Sequence, residues 1–162
     1  MARRRRRQWV IDTMVVIRGA RAFRQQPPIP TTPELRLLVG WMHDEALFDW
    51  LLSRPILEEY RAVLRRLKVP RPAVGRFLNL LRQAGIEVEA RDLGSFSPDP
   101  DDDPFYHCAL TGHAEAIVTD NVTDFPPVPG RTRPAILTPA AAVAQLWAPE
   151  APSGRAPRRR RP

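Results

Sequence analysis

A single cysteine, Cys108, and a single lysine, Lys68, stand in a chain of 162 residues. One cysteine excludes an internal disulfide and any multi-cysteine zinc site, and it reads as a small apolar packing residue. The three histidines, His43, His107 and His113, show no ligand spacing, so no imidazole cluster is expected and they read as surface or packing residues. Apolar runs stop well short of the roughly 18 residues that a membrane span requires. An arginine-rich start followed by Trp9–Ile17 has the outline of a secretory signal, but Asp12 interrupts the apolar part. A cytoplasmic protein is therefore expected.

Charge is present in quantity, and it is unevenly placed. The formal net charge is +7, yet Arg3 to Arg7 supply five positive charges and Arg155 with Arg158 to Arg161 supply five more, with no acid in either stretch. Between them, residues 8–150 hold 15 basic and 18 acidic residues. The chain thus divides into a basic N-terminal tail over 1–8, one domain over 9–148, and a basic, disordered tail over 149–162. A domain of that length buries a real core. Arginine-rich tails attract polyanions by counterion release, which makes nucleic acid the obvious partner. The plainer reading, a solvated tail whose arginine reflects coding bias, stands beside it.

Along the chain, short β-branched runs alternate with helical patterns. Trp9–Ile11 reads as a buried strand that reaches a polar group, Asp12, at its carboxyl edge. A helix follows at once, then a Pro-rich connection over 25–30, and Thr32-Pro33 starts a second helix. Leu47–Leu52 is strand-like, and Ser53 caps a helix with Pro55 in its first turn. In that helix Ile56, Leu57, Tyr60, Val63, Leu64 and Leu67 form one apolar face. Glu59 lies at its margin, while Glu58 points away as a surface ion-pairing residue. Pro72 opens a helix that Gly85 closes, and 86–90 alternates as a strand. A helix over 104–112, a strand over 116–119, a last strand over 135–137 and a closing helix complete the series. Alternating strands and helices imply an α/β fold with a parallel sheet and right-handed crossovers.

The chemistry concentrates in Asp99-Pro-Asp-Asp-Asp103 and in the segment Thr119-Asp-Asn-Val-Thr-Asp124. Ligands bind beyond the carboxyl ends of parallel strands. Asp12 and Thr119–Asn121 fall at such ends, and Asp102 and Asp103 fall at a helix start. Three segments together with Glu59 can then converge on one edge. Carboxylate oxygens are hard donors suited to Mg²⁺ or Mn²⁺, and a cation so held promotes phosphodiester cleavage. An EF-hand does not fit, because its sixth and twelfth positions counted from Asp99 are Pro104 and Leu110. The acids also have structural readings: Asp12 as a helix cap, Asp99–Asp103 as a solvated loop, Asp120 and Asp124 as turn residues. A phosphotransfer site of the aspartyl-phosphate kind fits poorly, since Met14 occupies the place of its second Asp.

These pieces resemble the PIN-domain family. Val10-Ile-Asp-Thr-Met-Val-Val16 is similar to its opening strand. Ser53-Arg-Pro-Ile-Leu-Glu-Glu-Tyr-Arg-Ala-Val-Leu64 is similar to its glutamate-bearing helix, and Asp101-Asp-Asp-Pro-Phe-Tyr-His-Cys-Ala-Leu110 to its central acidic segment. Ile117-Val-Thr-Asp-Asn-Val-Thr-Asp-Phe-Pro126 and Ile136-Leu-Thr-Pro139 resemble its closing pieces. The resemblance spans Trp9 to Trp147.

It implies a PIN-like three-layer fold, a central twisted parallel sheet flanked by helices with an acidic pocket at its edge. It implies a Mg²⁺- or Mn²⁺-dependent endoribonuclease, the toxin of a type II toxin–antitoxin pair, with an RNA substrate, a cognate antitoxin and a homodimeric state. Carried over, Asp12, Glu59 and Asp102 are the catalytic and metal-binding acids. Asp124 or Asp120 serves as a substitute fourth ligand, and Thr119, Asn121 and Asp103 support them. Two departures stand out: Met14 where the family usually has Asn, and Asn121 where many members have a fourth Asp. They keep open an alternative, a weak or inactive PIN module that binds RNA or a protein partner.

Overall fold

Trp9, Val10 and Ile11 are apolar in succession, as a strand covered on both faces must be. In the computed structural model they form the middle of the sheet. The structure describes residues 6–23, 32–43 and 47–147; the C-terminal tail over 149–162 and the Pro-rich connection at 25–30 lie outside the described residues.

The elements run β1 (Arg7–Ile11), α1 (Thr13–Phe23), α2 (Pro33–Met42), β2 (Phe48–Leu52), α3 (Arg54–Arg66), α4 (Arg71–Ala84), β3 (Ile86–Glu87), a 3-10 turn (Pro100–Asp102), α5 (Asp103–Thr111), β4 (Ala116–Val118), β5 (Ala135–Leu137) and α6 (Pro139–Trp147). All five strands are parallel in the order β3-β2-β1-β4-β5. Helices flank the sheet, giving the expected α/β architecture. The chain first builds outward from β1 to β2 and β3, then crosses to the other side of β1 for β4 and β5. Strand order therefore reverses between β1 and β4, and connections diverge there to leave a crevice at the carboxyl edge. Ile11 pairs with Val118 at that point, which sets Asp12 beside Thr119.

Several local features follow from side-chain chemistry. The Thr32 hydroxyl accepts from Leu35 N–H at 3.2 Å, and Pro33 stands in the first turn of α2 where its missing N–H costs nothing. On α3, Glu58 is exposed and paired with Arg54 at 3.0 Å, whereas Ile56, Leu57, Tyr60 and Leu64 are buried. Ser53 holds the N-cap position, but its buried hydroxyl makes no capping bond. Gly85 ends α4 without a left-handed turn. Its requirement is space, since a Cβ would stand 2.6 Å from both Leu52 Cδ1 and the Leu81 carbonyl.

Two boundaries differ from the sequence reading by more than one residue. Arg7 and Gln8, read as tail, are the first residues of β1, where they pair with Phe48 and Asp49. A backbone ladder accepts any side chain, and Arg7 is also held by Glu115 at 3.1 Å. The strand expected over 86–90 stops at Glu87, because its neighbour β2 ends at Leu52. Cys108 is fully buried, and burial pushes its thiol up to about 12, as befits a packing residue.

Candidate active site

Asp12 is the first residue past β1. Its N–H donates to the Val118 carbonyl at 2.9 Å, which continues the ladder by one step. Its own carbonyl accepts from Val15 and Val16, so the backbone turns directly into α1. The side chain is buried, and Oδ2 accepts from the Thr119 hydroxyl at 2.9 Å. Thr119 is fully buried at the end of β4 and is fixed in turn by its second role, accepting from the Asn121 N–H at 3.0 Å. Burial raises the Asp12 proton affinity; the Thr119 hydroxyl and the N–H groups of Thr13 and Met14 partly offset it.

Glu59 reaches the same edge from α3. Thr13, next to Asp12, donates its hydroxyl to Glu59 Oε1. One turn of chain therefore aligns two acids that lie 47 positions apart. The buried Tyr60 beside it donates its hydroxyl to the Ile11 carbonyl, tying α3 to the end of β1. Burial raises Glu59 above the usual carboxylate range, and the charges of Asp12, Asp101 and Asp99 add to the effect despite the Thr13 bond.

The third acid comes from the loop before α5. Asp99 accepts from Asp101 N–H at 3.0 Å and so starts the 3-10 turn that presents Asp102. Asp102 is half-buried and makes no capping bond of its own. Burial, with the charges of Asp12, Asp99, Glu59 and Asp124, raises it to about 7. Asp103 does a different job. Its Oδ1 accepts from Phe96 and Ser97 N–H at 2.8 and 2.9 Å, which outweighs its burial and holds its carboxyl below the usual range.

On the far side of the crevice, Asn121 donates its amide to Asp124, and the Asp124 carbonyl accepts from the Ser97 hydroxyl at 2.7 Å. Asp120 turns toward Arg18, 3.3 Å away, and toward Glu34, so its charge is engaged outside the cluster. Its Oδ2 is in ion-pair reach of Arg18 without the alignment of a hydrogen bond. A stack of Phe96, Tyr106 and Phe125 clamps the two acidic loops together, with ring centroids 5.5 and 5.6 Å apart. The Tyr106 hydroxyl donates to the Pro126 carbonyl at 2.7 Å, on the loop that carries Asp124.

The crevice thus gathers Asp12, Glu59 and Asp102, with Asp99, Asp101 and Asp124 close enough to perturb them. Among the described residues no basic side chain is bonded to Glu59 or Asp102. A family model for the PIN domain matches residues 8–123. The chain belongs to the PIN-domain family. No curated protein matches it. Membership brings a nuclease-type function and, in general, divalent metals.

The chemistry of this PIN domain's crevice fits such an ion, because uncompensated carboxylates repel one another and all their donors are hard oxygens. The fit is one of charge and donor type: among the described residues no three His, Cys, Asp or Glu side chains stand as a ready ligand group. The matched segment ends at Thr123, one residue short of Asp124. Thr13, Ser97 and Tyr60 contribute to the site although the residue patterns gave them no role in it. The only hint in the sequence was their position, beside Asp12, before Asp99 and beside Glu59. Among the described residues no helix is long and apolar enough to cross a membrane.

Proposed function

We propose that this PIN domain is a Mg²⁺- or Mn²⁺-dependent endoribonuclease that hydrolyses RNA phosphodiester bonds, with Asp12, Glu59 and Asp102 as its acids. The observation that carries the reading is the approach of three acids from three distant segments at the strand-order reversal, with no basic side chain bonded to Glu59 or Asp102 among the described residues. Asp12 and Asp102 are the residues to hold the ion, with Asp124 the better candidate for a fourth carboxylate, since Asp120 is paired with Arg18. A divalent cation there supplies Lewis-acid charge to the scissile phosphodiester.

Each side chain has a task of its own. Thr119 and the start of α1 fix the orientation of Asp12. Glu59, oriented by the Thr13 hydroxyl, accepts the proton of the attacking water. Asp102 stands in the field of Asp12, Asp99, Glu59 and Asp124, a repulsion that a cation would offset. In this reading the protein is the toxin of a toxin–antitoxin pair, cytoplasmic, dimeric, and silenced by a small antitoxin.

The test is cleavage of single-stranded RNA with Mg²⁺ or Mn²⁺, with and without EDTA, beside Asp12→Asn and Asp102→Asn. Each substitution is expected to cost on the order of 10²–10³-fold, comparable to losing one main electrostatic contributor. Cleavage that ignores EDTA, or survives both substitutions, would sink the reading. A second reading, a PIN module that binds without cutting, draws on two residues. Met14 is 41% exposed where an amide is usual, and the Asn121 amide is used up on Asp124. RNA binding without cleavage at any metal concentration would favour it.

A further inference from the structure

Outside the acidic crevice, the described surface carries one concentrated field of the opposite sign. Residues 54–84, which make α3 and α4, hold 8 of the 15 basic residues of the 8–150 body but only 2 of its 18 acidic ones, leaving 7 against 16 elsewhere. Of the other described cations of the body, Arg18 pairs with Asp120 at 3.3 Å and Arg36 lies over the Trp147 ring. Arg61, Arg65, Arg71 and Arg82 have no carboxylate at ion-pair distance among the described residues.

Those four line one cavity of about 270 Å³ between α3 and α4, over Val74 and Leu78. A second cavity of the same size continues it past Arg61 and Arg82 to Arg54, and Glu58 and Glu87 also line it. Arg71, Leu78 and Arg82 follow one stripe of α4 at helical spacing. From Arg71 to Arg82 the stripe runs roughly 16 Å along the helix axis. Each cavity falls below the ~300–1,000 Å³ of a small-molecule pocket. Together they make a track for a chain with repeated negative charge. One end lies where α3 leaves the carboxyl edge of β2, and α3 is also the helix that carries Glu59. A second copy of this chain is a poor occupant, since a twofold contact would set arginine on arginine.

We infer that the α3–α4 groove binds the phosphodiester backbone of the RNA substrate outside the cleavage site. This rests on the reading of RNA as substrate. The acids of the crevice repel phosphate, so affinity has to come from another surface, and guanidinium groups suit phosphate through paired N–H donors. The contacts position the strand and do not select its sequence.

The test uses the full chain in EDTA, so binding is read without cleavage. Arginine modification by phenylglyoxal is mapped by mass spectrometry with and without a single-stranded RNA oligonucleotide. Arg65, Arg71 and Arg82 are expected to be protected several-fold, while the exposed loop residues Arg131 and Arg133 remain reactive. In a variant with Arg61, Arg65, Arg71 and Arg82 all changed to Ala, the slope of log affinity against log salt should fall by roughly 3, at about 0.7 per phosphate contact. Protection confined to the terminal arginines, with an unchanged slope, overturns the inference. Protection by poly-glutamate but not by RNA also overturns it and assigns the face to an acidic protein partner. A protein that cuts RNA without groove protection loses this inference and keeps the nuclease reading. Groove protection in a protein that never cuts does the reverse.

Discussion

Removing the charge of Asp102 is expected to stabilise the metal-free protein, and by an amount that depends on pH. The carboxyl is raised from 3.8 to about 7 by burial and by Asp12, Asp99, Glu59 and Asp124. A raised acid binds its proton more tightly in the folded state than in the unfolded state. Its contribution is therefore whole below the unfolded value of 3.8 and is lost as pH climbs through about 7. Taken at face value the shift corresponds to roughly 4 kcal/mol at about 1.4 kcal/mol per pH unit. Asp102 is only half-buried, and solvent screening reduces that to about 1–2 kcal/mol.

In a chain of this length each kcal/mol moves Tm by roughly 2–4 °C. Thermal unfolding in EDTA should thus find Asp102→Asn several degrees more stable than the parent at pH 8, with the gap closing toward pH 4. Asp12 and Glu59 are coupled to Asp102 and are relieved of its charge in the variant, so the difference between the two curves reports position 102 together with its repulsion of these neighbours. Asn suits an N-cap as well as Asp does, which limits side effects at the start of α5. Saturating Mn²⁺ should reverse the order at pH 8, since an ion at 100 times its Kd adds about 2.7 kcal/mol to the parent alone. A variant no more stable than the parent at pH 8 in EDTA, or a gap that ignores pH, would refute the account of crowded charge.

Four further outcomes are expected. Tyr60→Phe leaves the buried Ile11 carbonyl without its donor, and urea denaturation should register a loss of about 1–2 kcal/mol. Thr13→Val frees Glu59, so RNA cleavage should fall roughly tenfold while unfolding shows a loss of only ~1 kcal/mol, which separates orientation from stability. Gly85→Ala presses a methyl group into Leu52 and the Leu81 carbonyl and should cost about 1–3 kcal/mol in the same denaturation assay. Cys108, buried and with its thiol raised to about 12, should resist iodoacetamide in the native protein and react only after unfolding, as mass spectrometry would report.

The sequence by itself determined the elements, because their causes are local. The apolar run at Trp9–Ile11, the Thr32-Pro33 start and the apolar face of α3 each carry their structure in a few neighbouring residues. The same locality separated Glu58 from Glu59, since one turn of helix decides which of them faces Arg54 and which borders the core. It also picked out Asp12, Glu59 and Asp102 as acids of one neighbourhood, through family motifs that preserve the order of the pieces.

The tertiary structure alone decided how those acids are held and what their charges do. Thr13 meets Glu59, and Ser97 meets the Asp124 carbonyl, only because β1, α3 and two loops converge at one edge of the sheet. Asp120 and Asp124, alike on the page, separate because Arg18 lies on one side of the crevice and Asn121 on the other. Arg7 and Gln8 became strand because β2 offered a free ladder, a partner that no local pattern displays. Proton affinities and the arginine track between α3 and α4 depend on distance through space. Charges far apart in sequence interact as strongly as the fold brings them near.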